Sequence, residues 1–283
     1  MKKWIIENKV YIGNHWLSIL VKIILAFLGL FISSFGLALY QQPAVGGSQI
    51  DWTLYNIIAT IIPYGSDGSL SGEKFVSIYP TTLLIWNIVL ILFAIAFSIK
   101  PSIDDYKSTK KNKIWVLFVW IIIADLVITF SVPFIIKMFM PIVSQWVSRD
   151  GTSISSSIGV RNWLFIAGFL CFVLGIGFWV KSGWMLGPFN NICTQFLRLT
   201  KLNYTVGRLL IDIVIFALGF AFFPFIQGES TKTDFLLTNF GLGTVCFTFL
   251  VGPLVNYLIL FLDRICNYEK MDILTNKSLI KAE

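Results

Sequence analysis

The chain has 283 residues, of which 56% are hydrophobic and only 13% charged, and its mean hydropathy is +0.79. A soluble domain carries about 45–50% apolar and about 25% charged residues, so a soluble enzyme, a secreted disulfide module, a disordered chain and a nucleic-acid-binding domain are excluded as the main reading. The net charge of +7 then belongs to loops and tails, where basic residues set topology and meet anionic headgroups rather than nucleic acid.

The first apolar run covers residues 16–40, with Lys22 near its start. A polar, glycine-rich stretch over 41–80 contains the apolar patch 52–62, which is too short to span and suits a re-entrant or interfacial helix. The second run is 81–99. The segment KPSIDDYKSTKKNK after it reads as an aqueous loop. The third run, 114–143, is interrupted by Pro133 and Pro141. A serine- and glycine-rich linker leads to the fourth run, 163–180. After the segment around Gly187 comes the fifth, 209–225, which contains Asp212. The sixth is 240–262, and the tail is polar. These runs are continuous rather than alternating, which excludes a barrel and leaves helices, the other structure that satisfies its backbone amides in lipid.

Basic residues sort the loops. Lys2, Lys3 and Lys9, the five lysines from Lys100 to Lys113, the group from Lys181 to Arg208, and the tail from Arg264 on are rich, whereas the other three loops are poor. Basic loops stay in the cytoplasm, so both termini are expected there, as six spans require. Residues 1–15 then form a cytoplasmic N-terminus, 16–143 a first membrane repeat, 144–162 an outer linker, 163–262 a second repeat and 263–283 a cytoplasmic tail. Both halves read as span, glycine break, short amphipathic helix, span, proline-bearing span, with Pro133 and Pro253 in matching places. The expected fold is an all-α polytopic membrane protein with six transmembrane helices in inverted three-helix repeats. That plan is common in secondary transporters, whose sites lie beside broken helices.

From Gly183 to Leu262 the chain resembles the YczE/YyaS/YitT family of bacterial integral membrane proteins, through LGPFNNICTQFLRLTKLNYTVGRLLIDI and GLGTVCFTFLVGPLVNYL. The resemblance implies a multipass protein of the bacterial cell membrane, of the transporter kind, and names no substrate. The first half departs from the pattern, although PAVGGSQIDWTLYNI keeps glycines and an Asp-Trp pair.

Ionisable groups inside a span are costly and functional by default. Asp125 lies well inside the third span, open to a transport role or a structural pair with a lysine. Asp212 is expected to pair with Arg208, four residues earlier on one helix face, and Lys22 to snorkel. The glycine breaks supply the other site residues. After Gly187 and Pro188 a short helix can begin, and its first amides lack intrahelical partners. Asn190 and Asn191 add side-chain donors. Gly46, Gly47 and Asp51 make the parallel break in the first half. A substrate site is therefore expected from Gly46, Gly47, Asp51, Asp125, Gly187, Asn190 and Asn191.

No C-x-x-C pair, HExxH, GxSxG or phosphate loop occurs, so neither a metal nor a cofactor is expected, and nothing points to an enzyme. Two functions stay open. One is a permease for a small polar or zwitterionic solute. The other is a non-transporting membrane subunit that scaffolds or regulates a protein partner. A permease requires polar residues from both halves around a mid-membrane cavity, and a scaffold requires a filled interior.

Overall fold

Every long apolar run is helical. The computed structural model describes residues 2–41, 46–66, 68–70, 72–110, 113–147, 158–183, 187–202 and 204–273. Most of the expected outer linker and the end of the tail lie outside these residues. In chain order the helices are α1 (Lys2–Gln41), α2 (Gln49–Ala59), α3 (Gly72–Thr109), α4 (Lys113–Val147), α5 (Ile158–Ser182), α6 (Pro188–Thr200), α7 (Tyr204–Phe222), α8 (Lys232–Asn239), α9 (Leu242–Phe249) and α10 (Val251–Ile265). No strand occurs among the described residues; a single bridge joins Tyr64 to Gly228.

Among the described residues, five segments are long and apolar enough to cross a membrane: Gly13–Gln41, Lys74–Thr109, Ile114–Ser144, Asn162–Ser182 and Val206–Phe225. The expected sixth span is broken. Gly243–Phe249 and the segment from Val251 meet at a 49° bend, and count as one span only together. The patch after Asp51 forms α2, which is almost wholly buried and so is a re-entrant helix rather than an interfacial one. Two sequence expectations are corrected. Pro133 and Pro141 do not interrupt α4, which runs on through both; within a helix bundle neighbouring helices can accommodate the lost backbone bonds. The charged segment after Lys100 is not all loop, because α3 continues to Thr109 despite Pro101.

The two halves meet where α1 crosses α5. Gly29 and Gly36 on α1 and Gly168 and Gly175 on α5 have the same seven-residue spacing. A Cβ at Gly36 would stand 2.4 Å from the Phe172 amide nitrogen, and one at Gly175 would stand 2.2 Å from the Ser33 nitrogen. Gly29 meets Gly175 and Gly36 meets Gly168, so the helices run antiparallel with backbones touching. Small residues permit this approach, and packing rather than hydrophobic transfer holds such helices together in lipid.

The remaining contacts repeat by exchange of halves. α4 packs on α1 as α10 packs on α5, and α2 packs on α7 as α6 packs on α3. The offset that carries Gly29 and Gly36 onto Gly168 and Gly175 also carries Ser48, the N-cap of α2, onto Gly187, the N-cap of α6. α2 runs with α7, with Gln49 level with Asp212, Thr53 with Ile215, and Ala59 with Gln227. α6 runs with α3, with Phe196 on Phe97 and Arg198 on Asp105. Each short helix thus starts buried and ends at one end of the bundle, and the two ends are opposite.

At one end the basic segments gather. His15 contacts Asp272 at 2.8 Å, Lys181 pairs with Asp263, and Lys22 and Lys181 both lie over the Tyr268 ring. At the other end Tyr64 bonds to Ser230 and Asn239 to Gly68.

Gly36→Val tests the crossing. The added side chain must push two backbones apart, at a cost of ~3 kcal/mol, which corresponds to a melting temperature roughly 10 °C lower in detergent. Gly252→Ala, whose Cβ would meet nothing within 4 Å, should leave the melting temperature unchanged or slightly raised.

Candidate functional site

A cavity of about 240 Å³ lies between α3, α4 and α6. Its polar wall is Ser98, Ser102 and Asp105 from α3 with Asn191, Gln195 and Arg198 from α6. Its apolar wall is the stripe Ile114, Leu117, Phe118, Ile121 and Ile122 of α4. Asp105 and Arg198, both well exposed, form its mouth on the basic end.

The polar wall is set by helix spacing. Asn191, Gln195 and Arg198 recur at i, i+4 and i+7 and share one face of α6. They bond in series. Arg198 Nη1 donates to Gln195 Oε1 at 2.8 Å, Gln195 Nε2 to Asn191 Oδ1 at 2.9 Å, and Asn191 Nδ2 to Asp125 Oδ2 at 2.5 Å. Arg198 Nη2 also pairs with Asp105 at 2.7 Å. The series runs from the exposed mouth to Asp125, which is 1% exposed. Asp125 and Thr129 continue the α4 stripe inward by one turn each. Asp125 Oδ1 and Thr129 Oγ1 are buried without a hydrogen-bond partner, which is costly in a dry interior.

The symmetry partner of this site is filled. Trp52 occupies the position of α2 that corresponds to Asn191 by the same offset. It is fully buried, lies against Gly219 of α7, and is ringed by Phe216, Phe220, Phe223, Phe235 and Phe240.

Asp51 has a different setting. Oδ2 accepts from Tyr40 Oη at 2.7 Å and from the Ser48 nitrogen and hydroxyl, both at 2.8 Å. Oδ1 accepts from Tyr79 Oη at 2.7 Å and from Gln41 Nε2 at 3.3 Å. Ser48 and Asp51 form a capping box at the start of α2, and α1, α2 and α3 are joined through one carboxylate. Gly46, at φ +94°, lets the chain pass Gly241 and Thr244 of the α9 start.

Of the expected site residues, Asn191 lines the cavity and Asp125 is bonded to it. Gly46, Gly47 and Asp51 lie together elsewhere. Gly187 starts α6 at φ +75° against the Trp179 ring, and Pro188 takes the first turn. Asn190 turns away from the cavity, its Oδ1 accepting from Arg208. Arg208 also lies over Phe189 and pairs with Asp212 at 3.6 Å, the expected i, i+4 pair, while Gln49 donates to the other oxygen of Asp212. Ser98, Ser102, Asp105, Gln195 and Arg198 were not anticipated. The signal was available for the last two, in their spacing from Asn191.

Residues 19–259 match a family model described as a family of unknown function (DUF6198), and the chain belongs to that family. No curated protein and no solved structure matches the chain.

Asp51→Ala should be strongly destabilising, because it strands buried donors from three helices; a loss of ~3–5 kcal/mol is expected. Tyr40→Phe and Tyr79→Phe each remove one bond to a carboxylate, at ~1.5–3 kcal/mol. Denaturant unfolding of the purified protein measures all three.

Proposed function

We propose that this protein is a permease for a small polar solute and that the cavity between α3, α4 and α6 is the solute site. The carrying observation is the convergence on that cavity of polar side chains from both halves, Ser98, Ser102 and Asp105 from the first and Asn191, Gln195 and Arg198 from the second. A subunit that only scaffolds a partner has no need of a cavity with a polar wall among its spans, where each unsatisfied group is costly. The volume, below the ~300–1,000 Å³ of drug-sized sites, favours a compact solute. In this reading the basic end faces the cytoplasm of a bacterial cell, following the positive-inside rule, and the cavity opens there. The two half-length helices entering from opposite ends match the inverted-repeat plan of secondary transporters. The resemblance of 183–262 to YczE/YyaS/YitT proteins belongs to the same reading. Moving a solute calls for no chemical step on it.

The test is a thermal-shift screen of small metabolites on purified protein, followed by uptake of each stabilising compound into proteoliposomes. Ser98→Phe fills the cavity, and Asn191→Leu removes a charge-assisted bond worth ~1.5–3 kcal/mol. Each should cut uptake by about tenfold or more while the purified variant stays monodisperse. Uptake unaffected by both variants would move the path elsewhere. Stabilising compounds that are never transported would favour the scaffold instead.

A further inference from the structure

Among the described residues, the buried carboxylates Asp51 and Asp125 and the partly buried Asp212 differ in how their charge is met. Asp51 receives five donors. Asp212 has Arg208 and Gln49. Asp125 has one amide on Oδ2 and nothing on Oδ1, and no cation pairs with it among the described residues. The charged side chains described on the helices around it are engaged elsewhere or, like Lys74, Lys100, Asp104 and Lys107 of α3, exposed. Lys22 of α1 lies over Tyr268, Asp105 of α3 and Arg198 of α6 neutralise one another at the mouth, and Cys193 of α6 lies near Arg208 and Asp212. Lys137, three turns further along α4, is exposed.

The bonding series has a direction. From Arg198 to Gln195 to Asn191, each group donates inward. Its inner end therefore presents an acceptor, Asp125 Oδ1, and on the same helix the Thr129 hydroxyl is unpartnered and can accept or donate. Ser98 adds another on the cavity wall, since its hydroxyl proton is spent on the Ile95 carbonyl. An anionic solute would meet a carboxylate at the inner end and an already neutralised guanidinium at the mouth. A buried carboxylate with no counter-charge does not stay ionised in a dry interior; it takes a proton or a cation.

We infer that the solute is a small organic ammonium cation that pairs with Asp125, and that the empty site carries a proton on the same carboxylate. This rests on the reading of the cavity as the solute site. On binding, the carboxyl O–H bond breaks, the proton leaves through the cavity to water, and the cation replaces it without change of net charge in the site. The Asn191 amide, which lies between the cavity and Asp125, yields its place on Oδ2 to the solute.

Dicyclohexylcarbodiimide is apolar and adds to protonated carboxyls, so it reports the empty state of the unaltered protein. Reconstituted protein is treated with it at neutral pH, alone or with methylammonium, tetramethylammonium, choline or the neutral choline isostere 3,3-dimethyl-1-butanol, and the Asp125 peptide is quantified by mass spectrometry. Asp125 should be modified in the empty protein. At least one cation should slow the reaction about tenfold at roughly ten times its half-protecting concentration, and the neutral alcohol should not. Absence of modification at Asp125, or a rate that none of the cations lowers, overturns the inference. Uptake of a neutral or anionic solute that Ser98→Phe blocks, with labelling indifferent to cations, overturns the cation assignment and leaves the permease standing. Cation protection without uptake of any protecting cation does the reverse.

Discussion

The backbone contact between α1 and α5 is the constraint on which the rest depends. Four glycines at matched seven-residue spacing let two antiparallel helices touch main chain to main chain. Each of these helices is followed by a short helix that starts buried, α2 after α1 and α6 after α5. Fixing the crossing therefore fixes where each short helix meets the second span of the opposite half. The pairings of α4 with α1 and of α10 with α5 close the bundle around the same axis. Since lipid is as apolar as the helix surfaces, close packing of this kind is what determines which helices associate.

Function, in this account, comes from a break in that symmetry. Equivalent positions hold Trp52 in one half and Asn191 in the other. The indole and its five phenylalanines make the α2 side solid, and the capping box and tyrosines around Asp51 lock it to α1 and α3. The amide on the α6 side leaves a cavity and passes a hydrogen bond to a buried carboxylate. One of the two equivalent contacts between the repeats, α2 on α7, is solid, and the other, α6 on α3 and α4, encloses the cavity proposed as the solute site. The short α9 and the bend into α10 fall in the half opposite the cavity-lining α4.

Much of the fold was legible from the sequence because continuous apolar length and the placement of lysine and arginine are direct consequences of the bilayer. The prolines of α4 misled because the usual rule of helix breaking assumes a lone helix in water. The charged end of α3 read as loop because Lys100, Pro101 and the acidic pair carry no apolar period. The repeat was visible as an order of elements, but its register rests on glycines that only a structure pairs. Asp125 and Asn191 stood out through burial cost and a helix start. Ser98 and Ser102 did not, since serines in a span are common and only the neighbouring helix shows which of them face a void. Asp51 was found for its glycine surroundings; the spacing Ser48 to Asp51 also carried the signature of a capping box.

The central claim is that equivalent faces of the two repeats differ in hydration. Single cysteines at Ser98, on the cavity wall, and at Thr53, which packs between α2 and α7, can be compared on a cysteine-free background for reaction with a small membrane-impermeant methanethiosulfonate applied from the basic end. The account predicts rapid modification at position 98, slowed by any transported solute, and none at position 53. Equal reactivity at the two positions, or reaction at 53 alone, would contradict it.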